Sequence, residues 1–201
     1  MLLTQHPSTN SCRRLWRPGG CLYFLSAYCS SECDVLTQVL HLLRHDGGSG
    51  GETLLVDGFR AAHLLREKDP ASFNLLCTTR VEQQFIDQIN RLNYRSRDTL
   101  IRCDPHSGDL EWIRYNPHDR SPSSVEESLQ GPIYKALASL GCLLEDPSAA
   151  LKFKLSPGRV LLVDNWRALH GRTAFIGRRE LCGCYLPRDD WLNKARQMAL
   201  L

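Results

Sequence analysis

The sequence predicts a mainly β protein with helices, built as a double-sheet barrel of the jelly-roll kind with the helices covering one side. Three observations carry that prediction. Short apolar runs recur between turn signals, two pairs of runs are joined by Gly- or Pro-rich turns that read as hairpins, and helical patterns are inserted between them.

Taken in order, Val39-Leu-His-Leu-Leu-Arg44 is an apolar run of strand length. Asp46-Gly-Gly-Ser-Gly-Gly51 is a turn. Because a second strand, Glu52 to Asp57, follows it, the turn reads as a hairpin connection and not as a phosphate cradle, which would need a helix and a lysine next. Gly58 to Lys68 is helical, with Phe59, Ala62 and Leu65 on one face, and Asp69-Pro70 ends it. His63 on this helix reads as a surface histidine. Ala71 to Cys77 suggests a second short helix, and Thr78 to Asn90 fits neither template. Leu110 to Asn116 alternates as a strand. Val125 to Leu144 holds the longest helical pattern, with Leu129, Ile133, Leu137, Leu140 and Leu144 in phase and Pro132 as a start or kink. Leu151 to Leu155 alternates strictly and turns at Ser156-Pro-Gly158 into the strand Val160 to Val163, which reads as a second hairpin. The C-terminal stretch from Asp189 has acidic residues first and a Leu192, Ala195, Met198 stripe, so it is a helix packed on a sheet or on another subunit.

The chain has 201 residues, 42% hydrophobic and 23% charged, with a formal charge of +3, enough for one domain with a real core. Basic residues are scattered without an aromatic-interleaved stripe, which disfavours nucleic acid as a partner. No apolar run approaches the roughly 20 residues a membrane span needs. Nine cysteines, an odd number without framework spacing, suggest free thiols in a reducing compartment. Cys12, Cys21, Cys29 and Cys33 crowd the N-terminus, but none forms Cys-x-x-Cys, so a zinc site is the weaker alternative there.

Residues 1–37 differ from the rest and form a divergent or disordered N-terminal segment, while 38–201 form the folded domain. Arg13, Arg14 and Arg17, without an acidic residue before Glu32, loosely match a mitochondrial presequence, although Pro18-Gly-Gly20 would interrupt its helix.

The stretch Val160-Leu-Leu-Val-Asp-Asn-Trp-Arg-Ala-Leu-His-Gly-Arg172 stands out. A buried strand breaks at Asp164-Asn165 and delivers one histidine, His170, onto a turn closed by Gly171, before a second strand, Glu180 to Leu186. His170 on its own suits either a metal or a structural role.

Several strings together carry a resemblance: Gln38-Val-Leu-His-Leu-Leu-Arg-His-Asp-Gly47, Gly50 to Phe59, Ile113-Arg-Tyr-Asn116, Pro157 to Leu161, Asp164-Asn-Trp-Arg-Ala-Leu-His-Gly-Arg172 and Arg179 to Asp190. Over about four fifths of its length the chain resembles the family of trimethyllysine dioxygenase and γ-butyrobetaine hydroxylase. The resemblance implies a double-stranded β-helix and Fe(II)/2-oxoglutarate oxygenase chemistry with ascorbate as a helper. Such enzymes hold iron with two histidines and one carboxylate, leaving open positions for the oxo-acid and O₂. By resemblance His170 is the distal metal ligand. Arg179 grips the far carboxylate of 2-oxoglutarate, a task for a planar bidentate donor. Tyr185 faces the substrate's trimethylammonium group, where a ring attracts a cation, and Asn116 contacts its polar end. Without the resemblance, Arg179 reads as a surface ion pair with Glu180 or Asp190, and Tyr185 and Asn116 as sheet packing.

One departure stands against this. The family's His-x-Asp pair lies a short strand upstream, where counting without gaps finds Leu25 and Ala27, and no His-x-Asp or His-x-Glu occurs in the chain. The expectation is therefore an incomplete jelly-roll of the hydroxylase lineage that is itself inactive. The alternative is a non-catalytic fragment acting as a binding or dimerising module. The implied partner is a small trimethyllysine-like molecule, with a homodimer left open, and the implied location is the mitochondrial matrix.

Overall fold

The computed structural model describes residues 35–46, 48–89, 91–117 and 120–201. Strand β1 (Val35–Asp46) is followed by β2 (Thr53–Asp57), helices α1 (Gly58–Lys68) and α2 (Pro70–Thr78), and strands β3 (Arg80–Asp87), β4 (Leu92–Thr99), β5 (Ile101–Cys103) and β6 (Leu110–Ile113). Then come α3 (Glu127–Leu144), β7 (Ala150–Phe153), β8 (Val160–Asp164), β9 (Ala168–Arg172), β10 (Arg178–Pro187) and α4 (Arg188–Gln197). β1 starts before Gln38; the rest of the N-terminal segment, with its four cysteines and the presequence-like arginines, lies outside the described residues.

Two antiparallel three-stranded sheets form the frame, in the orders β10-β1-β8 and β7-β2-β9. A β3-β4 hairpin and a β5-β6 pair flank them. This topology corrects both hairpins expected from the sequence. β1 and β2 lie in different sheets, and so do β7 and β8, so the turns at Gly48–Gly51 and Ser156–Gly158 carry the chain from one sheet to the other. Turn residues specify a reversal of the chain; they do not specify which strand becomes the partner. The ambiguous stretch after Thr78 is the β3-β4 hairpin, and the strand expected over Leu110 to Asn116 ends at Ile113.

The apolar core lies between the β7-β2-β9 sheet and the helices. Leu54, Val56 and Leu169 point from the sheet toward Ala61, Ala62, Leu65, Leu76, Ala136, Leu140 and Leu144 of α1, α2 and α3. α1 starts where the Asp57 carboxylate caps the backbone N–H groups of Phe59 and Arg60. Gly58 permits the close approach of α1 to β9, since a Cβ there would lie 2.5 Å from Ile113 Cγ2 and 2.8 Å from the Arg167 carbonyl. Helix α4, expected from its acidic start, packs on β1 and β10.

The five cysteines in the described part, Cys77, Cys103, Cys142, Cys182 and Cys184, are free thiols. No helix among the described residues is long and apolar enough to cross a membrane.

Candidate active site

The turn that leads into β9 is held from three sides. Asp164 Oδ1 accepts from the Trp166 N–H at 2.9 Å, Ile113 N–H donates to the Trp166 carbonyl at 2.9 Å, and Gly58 N–H donates to the Arg167 carbonyl at 2.8 Å. The Arg167 guanidinium forks onto the Asp57 carboxylate at 2.7 and 3.2 Å, tying the turn to the start of α1. The Asp-Asn-Trp-Arg string is thus the local device that fixes the register of β9.

His170 sits inside β9, opposite Leu55 of β2, and not on the turn expected from His170-Gly171. Because side chains alternate along a strand, His170 and Arg172 share one face of the sheet while Leu169 points the other way, into the helical core. His170 Nδ1 is buried without a hydrogen-bond partner, and burial pushes the imidazole pKa down to about 4, so the ring is neutral at physiological pH.

Arg179 lies on β10 opposite His45 of β1, and it is buried, with 8% of its surface exposed. Arg179, Leu181, Gly183 and Tyr185 alternate onto one face of β10, opposite the buried face of β1 that carries Gln38, Leu40 and Leu42. His45 would point the other way in a regular strand. A β-bulge between Leu42 and Arg44 adds one residue and turns His45 to the same side as Arg179.

Around this point positive groups accumulate. Arg179 is lowered to about 10, first by burial and then by the charge of Arg172, and burial also lowers Arg172. His45 is lowered by burial and by Lys154, Arg179 and Arg172. Arg172 stacks over Phe175 at 4.4 Å, and the His45 ring meets the same Phe175 edge-on at 6.1 Å. Gly51, at φ +74°, leaves room for the His45 ring, whose Cε1 would lie 2.7 Å from a Cβ.

The neighbouring carboxylates are committed elsewhere. Asp46 pairs with Arg44, Glu180 with Arg178, and Glu52 with Lys152 at 2.9 Å. The surface ion pair with Glu180 that composition alone would assign to Arg179 is therefore made by Arg178 instead. Seven described residues have a buried side-chain polar atom without a partner, and four of them, His45, His170, Arg172 and Arg179, lie on these two strand sets near this point, whereas Gln38, opposite Tyr185, lies at the far end of β1. Leaving such groups unpaired is costly, so their clustering makes this the candidate site.

The other two expected residues fall elsewhere. Tyr185 is half-buried opposite Gln38, six residues and so about 20 Å along β10 from Arg179. Asn116 is buried past the end of β6, beside a separate cavity of about 40 Å³ lined also by Gln83, Tyr115, Arg120, Ser121 and Tyr134. His170, Arg172, Arg179 and Tyr185 do not line that cavity. His45 and Arg172 are absent from the residues flagged by sequence. The signal available for Arg172 was its two-residue spacing from His170; the bulge that recruits His45 leaves no sequence mark.

The family model for the taurine catabolism dioxygenase TauD, TfdA family matches residues 30–185. The chain belongs to the TauD, TfdA dioxygenase family. Mouse and human mitochondrial trimethyllysine dioxygenases are each 40% identical to it over 178 residues, covering 87% of this chain and 42% of theirs. Gamma-butyrobetaine dioxygenase of Pseudomonas sp. is 34% identical over 160 residues, covering 78% of this chain and 41% of its own. The chain thus spans about two fifths of the length of these relatives. Among solved structures, asparagine oxygenase superposes with a TM-score of 0.62 at 21% identity, covering 84% of this chain and 51% of that one. PvcB from Pseudomonas aeruginosa superposes at 0.56 with 22% identity, covering 82% and 56%. The resemblance to the trimethyllysine dioxygenase lineage is borne out, and the jelly-roll architecture with it.

The family's chemistry depends on Fe(II) and 2-oxoglutarate, and the described residues fit these two groups unequally. The arginine pair fits a carboxylate. For iron, no cluster of three or more His, Cys, Asp or Glu side chains that could hold a metal occurs among the described residues. His170 is the one residue there that the resemblance assigns to the metal, and Leu25 and Ala27 lie outside the described residues. A single imidazole does not make the two-histidine, one-carboxylate face such iron requires.

Proposed function

We propose that the chain carries the oxo-acid-binding half of a trimethyllysine dioxygenase site and does not itself hydroxylate. The lineage reaction is Fe(II)- and 2-oxoglutarate-dependent hydroxylation of trimethyllysine in carnitine biosynthesis, with ascorbate in support. What carries the reading is the contrast within one cluster of side chains: Arg179 is buried, Arg172 beside it is half-buried, and the Nε of each is without a partner, while the metal side offers, among the described residues, His170 alone. Arg179 holds the far carboxylate of the oxo-acid, and the neutral imidazole of His170 stands where the reacting end would lie. Tyr185 and Asn116 serve a trimethylammonium-bearing substrate, Tyr185 through its ring face and Asn116 through its amide. The names of the mammalian relatives, together with Arg13, Arg14 and Arg17, support a mitochondrial location. The test is an assay with Fe(II), ascorbate, 2-oxoglutarate and trimethyllysine. Succinate release equal to that of a His170→Ala control is expected, and clear His170-dependent release would contradict the proposal.

One observation favours a second role, as a self-associating module. The outward face of the β10-β1-β8 sheet presents Val160 and Leu162, 51% and 55% exposed, together with Cys184 and, at the bulge, Leu43. β8 is an edge strand, so both its apolar side chains and its backbone are open to a second copy. Light scattering on the chain and on a Val160→Lys/Leu162→Lys double variant tests this; a dimer that the double variant abolishes is expected, and a monomer in both contradicts it.

A further inference from the structure

The mismatch between the anion side and the metal side of this cluster changes what it can recognise. In a metal-dependent oxygenase the 2-oxo group is read by chelation, so an acid without it lacks half of its binding site. Here the described residues supply the other half only. Arg172 and Arg179 approach from different sheets, Arg179 buried and Arg172 half-buried, and each has a buried Nε without a partner. Lys154 adds to the same positive field, in which His45 stands with both ring nitrogens unpaired. Asp46, Glu52 and Glu180 each pair with another cation, and Asp46 opposes the field at His45 only as the smallest contribution.

The second end of a ligand also has a partner. His170 lies two positions from Arg172 on the same face, about 7 Å away along the strand, a spacing that a four- or five-carbon chain can bridge. Its Nδ1 is buried without a partner, so in the tautomer that carries a proton there it can donate one hydrogen bond to a carboxylate oxygen. Such a bond is indifferent to whether the next carbon bears an oxo group.

We infer that this chain binds short dicarboxylates without a metal, between Arg172, Arg179 and His170, and does not distinguish 2-oxoglutarate from glutarate. The inference rests on the reading that Arg179 grips a dicarboxylate and goes further in assigning the selectivity. It makes the chain a dicarboxylate-binding protein in its own right.

Isothermal titration of the full chain with 2-oxoglutarate, glutarate and the monocarboxylate butyrate, in EDTA and again with Mn(II), tests it. Expected are dissociation constants for 2-oxoglutarate and glutarate within about threefold of each other, unchanged by Mn(II), with butyrate at least about tenfold weaker. Arg179→Met and Arg172→Met should each weaken both dicarboxylates about tenfold or more, while Arg179→Lys retains part of the binding, since it keeps the charge and loses the fork. Thermal melts of each variant show that it is folded. Binding of 2-oxoglutarate that appears only with Mn(II), or that exceeds glutarate by about thirtyfold or more in EDTA, would overturn the inference while leaving the Arg179 grip intact. Failure of every dicarboxylate to bind, with or without Mn(II), would remove the grip itself.

Discussion

The β7-β2-β9 sheet has two faces built from alternate residues of the same strands, and they follow opposite rules. On one side Leu54, Val56 and Leu169 are buried against α1, α2 and α3 in a continuous apolar core. On the other, Thr53, Leu55, His170 and Arg172 look toward the second sheet, and there the polar atoms of His170 and Arg172 are buried without partners. Neighbours one residue apart, Leu169 and His170, therefore do different work. Leu169 lowers the energy of the folded chain, whereas the unpartnered His170 Nδ1 and Arg172 Nε raise it. A site costs stability, and the adjacent core offsets that cost.

This contrast can be broken most severely from the apolar side. Leu169→Ala should cost about 2–5 kcal/mol in chemical denaturation, because the residue is wholly buried and rigid helices behind it limit collapse. A loss below about 1 kcal/mol would mean that the face is not packed as described. The next effect comes from the polar side. The folded His170 has its pKa lowered to about 4 from 6.5, so the unfolded chain binds the extra proton in between. Stability is complete above about pH 6.5 and falls as pH drops toward 4, by at most about 3 kcal/mol. His45, lowered by burial and its cationic neighbours, acts in the same direction. In His170→Leu the slope of stability against pH should flatten over that window; an unchanged slope would show that His170 is not desolvated.

Arg179→Met should have a smaller effect, of opposite sign to Leu169→Ala. Replacing a buried, unpaired guanidinium beside a second one with an apolar chain of similar length should stabilise the ligand-free protein by about 1 kcal/mol. Destabilisation of that size would mean that Arg179 has a partner in solution. An effect of similar size and opposite sign is expected at Gly51, where alanine at φ +74° pushes the His45 ring from its place. Gly51→Ala should cost about 1 kcal/mol and shift the His45 titration measured by NMR, with His170 unaffected.

Periodicity and turn chemistry made most elements legible: β2, α1, α2, α3, β8 and α4 lie close to where the residue patterns place them. The pairing was not legible, because a jelly-roll sends successive strands to opposite sheets, and the residues at Gly48–Gly51 or Ser156–Gly158 carry no record of the destination. His170 looked like a turn residue because Gly171 follows it, yet five consecutive pairings with β2 hold both in a strand. Arg179 needed family resemblance to be noticed, since Glu180 next to it offers an apparent partner; the structure gives Glu180 to Arg178. Arg172 and His45 became visible only when burial, register and the bulge at Leu42–Arg44 were combined.

The central claim is the proposal that this cluster keeps an anion grip and offers, in the described residues, one candidate metal ligand. Titrating Mn(II) into the chain and following the free-ion EPR signal tests that claim most directly. The account predicts no His170-dependent binding tighter than about 1 mM, with the same curve for the chain and for His170→Ala. Stoichiometric, His170-dependent uptake of Mn(II) at micromolar concentration would contradict it and require two further ligands from elsewhere in the chain.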